Sequence, residues 1–256
     1  MAVRIFQSGP YWGPKDLADK LEGGHARSCS QEGGVYMYDS SARYSPRSLL
    51  FRQRIIMFTG MVDTGTSESA MEQMLALDSM GKEDNRDIVM YINSPCGMVT
   101  EGLVVYDTMQ HIKSDVSTVV TGMAGSMASM FLAAGAKGKR YALPNATIML
   151  HEASGGTGGR LSDMLVQNDY INDLFSRFID IYLKHINRDK DGYFHQFGGE
   201  TDMDHVTDMK PKKMDDAELK VWFKKWLQKD RFMTAEQAVK LGIIDGIIEG
   251  KGKLSK

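Results

Sequence analysis

The residues able to do chemistry fall in three short segments. In Gly122-Met-Ala-Gly-Ser126-Met127, a Val- and Thr-rich stretch runs into small residues, a serine and then an apolar segment. A serine so placed opens a helix, where free backbone N–H groups and the dipole favour developing negative charge. Taken alone, the segment is more often an ordinary serine N-cap. The pattern also differs from the Gly-x-Ser-x-Gly elbow of α/β-hydrolases. His151 ends Thr147-Ile-Met-Leu150 and precedes Glu152-Ala-Ser-Gly-Gly156. A strand end of this kind is where α/β proteins build sites, and also where a structural histidine bonds a loop carbonyl. Asp230 precedes Arg231-Phe-Met-Thr234, at the mouth of a capped helix, and alone reads as an exposed or capping acid.

The three residue types make one chemistry only in combination. A serine hydroxyl is a poor nucleophile until a base takes its proton. The imidazole needs a carboxylate to fix its tautomer, and two backbone N–H groups must face the oxyanion. Gly97, at a tight turn after a strand, and Met127, next to the serine, are candidate donors.

Positioning these groups requires alternating strands and helices. Strands are expected over residues 54–58, 87–92, 116–121, 147–150 and 243–248, with a small-residue turn at 122–125. Helices are expected over 67–80, 102–112, 127–134 and 162–183, and from a Thr234-Ala-Glu-Gln237 capping box to Gly242. This is α/β architecture with crossover units. Residues 1–44 are Gly- and Ser-rich and read as an irregular arm. The compact part begins near Ser48, and residues 188–218 break the helical pattern.

Composition narrows the classes. A net charge of −2 gives no support to nucleic-acid or anionic-membrane binding. Lys210, Lys212 and Lys213 face Asp215, Asp216 and Glu218 in sequence and read as a solvated face. Cys29 and Cys96 form no ligand pattern, so a reducing compartment is expected, with Cys96 a buried, inert thiol. No apolar run reaches the ~18–20 residues of a membrane span, and the first residues lack a signal-peptide core, so a cytoplasmic protein is expected. The 19 methionines fall largely on helical stripes and read as core filling.

Five segments in order carry a resemblance: Tyr91-Ile-Asn-Ser-Pro-Cys-Gly97, Gly122-Met-Ala-Gly-Ser-Met127, Ala136-Lys-Gly-Lys-Arg-Tyr-Ala-Leu-Pro-Asn145, Met149-Leu-His151 and Asp230-Arg-Phe-Met-Thr-Ala235. They resemble the proteolytic subunit of the ATP-dependent Clp protease, ClpP, over residues 45–249, with an insertion over 189–218. The resemblance implies a crotonase/ClpP-like α/β head of repeated β-β-α units in a superhelix, with a protruding helical handle over about 160–186 and a tail over 250–256. It implies Ser126, His151 and Asp230 as a catalytic triad of a serine endopeptidase, and Gly97 and Met127 N–H groups as the oxyanion hole. It further implies stacked heptameric rings, an AAA+ unfoldase of the ClpX, ClpA or ClpC type that uses the ATP, unfolded proteins as substrates, and no cofactor or metal on this chain.

Departures from the pattern stand at four places. Cys96 takes the first position of a Gly-Gly pair, where a positive φ would strain it. Gln228 and Lys229 replace an acid and an arginine, which bears on coupling between rings. Val89 and His111 stand where aromatics are usual on the unfoldase-docking surface, while Tyr91 is kept. The arm over 1–44 is longer than a usual axial loop and reads as a propeptide or gate. Two other readings compete: a non-catalytic subunit of a mixed ring, disfavoured because all three triad residues are present, and an acyl-CoA hydratase or isomerase of the crotonase fold, which would rely on carboxylates rather than on His151 and Asp230.

Overall fold

Ser45 caps the first helix, Pro46–Arg52 (α1). Its Oγ accepts from the Ser48 N–H at 3.1 Å, and Pro46 occupies a first-turn position that needs no N–H. This is a computed structural model, and it describes residues 45–80, 86–156, 158–187, 193–196, 210–213, 215–250 and 253–255. The expected arm over 1–44 lies outside the described residues, as does most of the expected insertion.

Ile55–Thr59 (β1), Ile88–Ser94 (β2) and Val116–Gly125 (β3) run parallel and adjacent. Their Ile and Val side chains suit a pleated surface buried between layers. Parallel neighbours need crossovers, supplied by Thr64–Met80 (α2) and Val99–His111 (α3). Met127–Ala134 (α4) follows and is buried along its whole length. Arg140–Ala142 (β4) and Thr147–Leu150 (β5) then both pair with β3. The nearer part of β3, at 118–120, takes β4; the farther part, at 123–125, takes β5. The sheet therefore branches along one long strand.

The expected turn at 122–125 is corrected. The chain stays extended through Gly125 because the Asn93 side chain accepts from the Met123 N–H at 3.1 Å, and Ala124 pairs with Ser94 after a register shift in β2. The small residues keep a strand clear of its neighbour rather than bending it.

Leu161–His185 (α5) is the long helix. Leu174, Phe175, Phe178, Ile179 and Tyr182 in its second half are buried, while Leu161, Leu165, Val166 and Tyr170 in its first half are exposed. The first half therefore stands clear of the core, as a handle would. Within 189–218, Tyr193–Gln196 (β6) pairs antiparallel with Lys210–Lys213 (β7). The acids expected to answer the lysines have another use. Asp215 and Glu218 form a capping box at the start of Asp216–Trp226 (α6).

Arg231–Met233 (β8) pairs antiparallel with β5, and Thr234 and Gln237 cap Ala235–Lys240 (α7) as expected. The strand expected over 243–248 is shorter than that. The Ile243 N–H turns back to the Ala238 carbonyl at 3.0 Å, so Gly246–Glu249 (β9) begins only after Asp245. Lys253–Ser255 (β10), in the expected tail, pairs with β9. The sheet order is β1-β2-β3-β4-β9-β10, with β5 and β8 on the branch. The core packs Met74, Ile88, Met90, Ile92, Met130, Phe131 and Ile179 together, so these methionines are filling.

One buried cation ties the far end together. Arg140, 1% exposed, donates through Nε and Nη2 to both Asp245 oxygens, at 2.9 and 2.7 Å. Its Nη1 donates to the carbonyls of Ala133 and His185, at the ends of α4 and α5. Asn187 Nδ2 also donates to Asp245 at 2.6 Å. Burial alone would raise the Asp245 carboxyl, but these bonds and the Arg140 charge hold it below the usual carboxylate range. Asp245→Ala leaves a guanidinium buried without its anion. It should lower unfolding stability in urea by about 3–5 kcal/mol.

His185 adds a pH dependence. Burial, with the nearby charges of Lys184 and Arg140, pushes it down to about 4. Between its ordinary value of ~6.5 and 4, the unfolded chain binds a proton that the folded chain refuses, so stability falls as pH drops through that window. His185→Gln should flatten the pH slope of the urea midpoint there. It should leave the further loss at lower pH, where protonation of the Asp245 carboxylate breaks its pairing with Arg140.

Candidate active site

The strand register brings the three chemical residues together. β3 and β5 are parallel, with Gly125 beside Met149, and the Ser126 N–H donates to the Met149 carbonyl at 2.8 Å. β5 and β8 are antiparallel, with Leu150 opposite Arg231. One step beyond each end, Ser126, His151 and Asp230 stand side by side. The Glu152 N–H donates to the Leu227 carbonyl at 2.7 Å, which carries the pairing past His151 and fixes the loop bearing Asp230. Asp230 thus belongs to a strand entry; the capped helix starts after β8.

Ser126 has φ 52 and ψ −120, in a region that favours glycine. Among the described residues, Arg54 is the one other non-glycine with positive φ. Ser126 occupies the N-cap position of α4, yet its side chain makes no capping bond. Its Oγ instead lies 2.9 Å from His151 Nε2. The geometry therefore departs from an ordinary N-cap. The turn tilts the hydroxyl out of the helix axis and toward the imidazole.

With Nε2 accepting the serine proton, the ring hydrogen sits on Nδ1. Nδ1 is 3.7 Å from Asp230 Oδ1, an ion-pair distance longer than a hydrogen bond. The Asp230 side chain is 65% exposed, against 23% for His151. Arg231 steadies the neighbouring backbone: its Nε donates to the Trp226 carbonyl at 2.8 Å, and its guanidinium lies over the Trp226 ring at 5.3 Å.

The walls are set by close backbone approaches. A Cβ on Gly125 would collide with the Pro95 carbonyl, and one on Gly97 would collide with the Val62 backbone. Gly97 forms a parallel bridge with Val62, made by Val62 N–H to Cys96 C=O at 2.9 Å and Met98 N–H to Val62 C=O at 2.8 Å. In such a bridge the N–H of Gly97 itself points away from Val62. The Met127 N–H lies in the first turn of α4, where no helical carbonyl can accept it.

Cys96 does not have a positive φ, so no strain arises there. It is also half-buried rather than buried, with Sγ 3.7 Å from Met61 Sδ.

A hydroxyl held at a sharp turn, hydrogen-bonded to an imidazole with a carboxylate behind it, can pass its proton and attack an electrophilic carbon. The sequence named these three residues but missed their supports: the Asn93, Pro95 and Val62 contacts, and Ser129 and Tyr182 beneath the turn. Only Ser129 left a trace, as a polar residue inside an apolar helix.

The family model for Clp protease matches residues 39–213, more than half of the chain, and the chain belongs to that family. It is a peptidase of the Clp type with an α/β fold. The match includes Ser126 and His151 and ends before Asp230.

Gly125→Ala drives a methyl group into the Pro95 carbonyl. It should destabilise the fold by about 1–3 kcal/mol in urea melts. Gly156→Ala, with nothing within 4 Å of the new Cβ, should change stability by no more than about 0.5 kcal/mol.

Proposed function

We propose that this chain is the serine endopeptidase subunit of a chambered, ATP-dependent Clp-type protease that cuts unfolded proteins into short peptides. The observation carrying this reading is the 2.9 Å contact between Ser126 Oγ and His151 Nε2 at a strained turn, within the segment matched by the family.

In this mechanism His151 Nε2 takes the Ser126 proton as Oγ attacks the scissile carbonyl carbon. The carbonyl electron pair moves onto oxygen, which the Gly97 and Met127 N–H groups stabilise. The tetrahedral intermediate collapses, the C–N bond breaks, and His151 returns the proton to the leaving amine. Water then repeats the sequence on the acyl-enzyme, with His151 again the base, and frees the acid and Ser126. Asp230 orients the imidazole and stabilises its cation. The long 3.7 Å separation suits a triad that tightens on assembly.

The exposed apolar half of α5 supports stacking of two heptameric rings into a tetradecamer. An AAA+ unfoldase of the ClpX, ClpA or ClpC type would supply unfolded chains and consume ATP, with no cofactor or metal held by this subunit. Protein quality control is the setting such an assembly serves. The free Cys96 suits a reducing cytoplasm. Among the described residues, no helix is long and apolar enough to cross a membrane.

A fluorophosphonate probe tests the chemistry on the full-length protein at a concentration where it assembles. Wild type should label at serine, and Ser126→Ala should not. Equal labelling of the two, or none in wild type, sinks the peptidase reading. Asp230→Asn should lower kcat/KM for a peptide substrate by about 10²–10⁴-fold, toward the smaller figure because the carboxylate is water-exposed. Light scattering should find a tetradecamer; a monomer at every concentration would remove the chamber.

A further inference from the structure

The oxyanion donor has its own support beneath the active site. The Ser126 carbonyl accepts two hydrogen bonds from Ser129: from its N–H at 3.0 Å and from its Oγ at 2.6 Å. Ser129 Oγ in turn makes a short hydrogen bond with the Tyr182 hydroxyl from α5. A serine hydroxyl has one proton, and Ser129 spends it on the Ser126 carbonyl. Tyr182 must therefore be the donor to Ser129, which gives a directed chain from Tyr182 O–H through Ser129 O–H to Ser126 C=O. Both side chains are fully buried, so water does not replace either bond. Burial also raises the Tyr182 phenol, which keeps its proton available for donation.

The carbonyl of Ser126 and the N–H of Met127 belong to one planar trans peptide and point in opposite directions. Whatever holds the carbonyl downward holds the N–H upward, at the position assigned to the oxyanion. Bonds into the carbonyl oxygen also polarise the peptide and strengthen its N–H as a donor. Phe178 and Phe223 pack on the Tyr182 ring at centroid distances of 4.8 and 5.7 Å, so the phenol is fixed by both α5 and α6.

We propose that Tyr182 and Ser129 are positioning residues for peptide hydrolysis, which orient and polarise the Met127 N–H through the Ser126 carbonyl. This inference rests on the peptidase reading above. It adds a route by which α5, the helix assigned to ring stacking, acts on the nucleophile's own peptide unit.

Tyr182→Phe removes one oxygen and leaves the ring packing, and Ser129→Ala removes the link. Each should lower kcat on a fluorogenic peptide by about tenfold, a fraction of what deleting an oxyanion donor costs, with KM within about twofold. Affinity for a peptide boronate, whose tetrahedral adduct places an oxygen in the hole, should fall in step with kcat/KM. The double variant should be no slower than the slower single one, because a broken chain cannot be broken twice.

An unchanged kcat in both variants, a loss confined to KM, or additive losses would overturn the relay. If Tyr182→Phe fails to assemble, Ser129→Ala carries the same comparison without touching α5. The two readings fail distinguishably. An unlabelled wild type ends both, whereas a labelled wild type with variants of normal kcat ends only the relay.

Discussion

A single backbone turn governs the active site. Ser126 adopts φ 52 with a side chain attached, a conformation that costs of order 1–3 kcal/mol and persists only where the surroundings impose it. Here they do, from every side. β5 takes the Ser126 N–H, Ser129 takes its carbonyl, and Pro95 leaves Gly125 no room to move. The strain is what frees Oγ from capping α4 and turns it to His151. Site chemistry and core packing are therefore one problem in this protein. A residue several positions away can alter the hydroxyl's direction without touching it.

The same logic explains the branch in the sheet. β3 must be central enough to be buried at 116–120, yet must leave the core to present a nucleophile. It does both by changing neighbours along its length, from β4 to β5. β8 then closes on β5 from the other side and brings Asp230 level with His151. Arg140 and Asp245 secure the opposite end, where α4, α5 and the start of β9 meet. A buried ion pair is weak as net stabilisation but demanding in geometry. Its worth here lies in fixing where α5 ends, and so where Tyr182 stands.

Much of this was readable from residue order. The Val- and Ile-rich strands, the two-faced helix over 162–183 and the Thr234–Gln237 capping box each follow local rules, and each forms within a few residues of its expected place. The pattern failed where neighbours decide. Residues 122–125 look like a turn, because isolated small residues bend easily; Asn93 and Ser94 keep them extended. Residues 243–248 look like one apolar strand, yet the N–H groups of Ile243 and Ile244 turn back to α7 and that of Asp245 goes to the Arg140 carbonyl. Ser129 is a polar residue in an apolar helix and Arg140 follows Lys137 and Lys139 as if exposed, and sequence alone reveals the partners of neither.

The sequence by itself determined the inventory: a serine between small residues and a helix, a histidine at a strand end, an acid ahead of a capped helix, and an alternating α/β order. Those features depend on covalent neighbours and on the periods of helix and strand, so they can be read along the chain. Only the tertiary structure decided that Ser126 is held off its own helix, that Asp230 is at ion-pair rather than hydrogen-bond distance, and that Cys96 is unstrained. These depend on strand register and on backbone contacts between residues far apart in sequence. A register differing by one residue would send His151 and Asp230 to opposite faces of the sheet while leaving every local pattern unchanged.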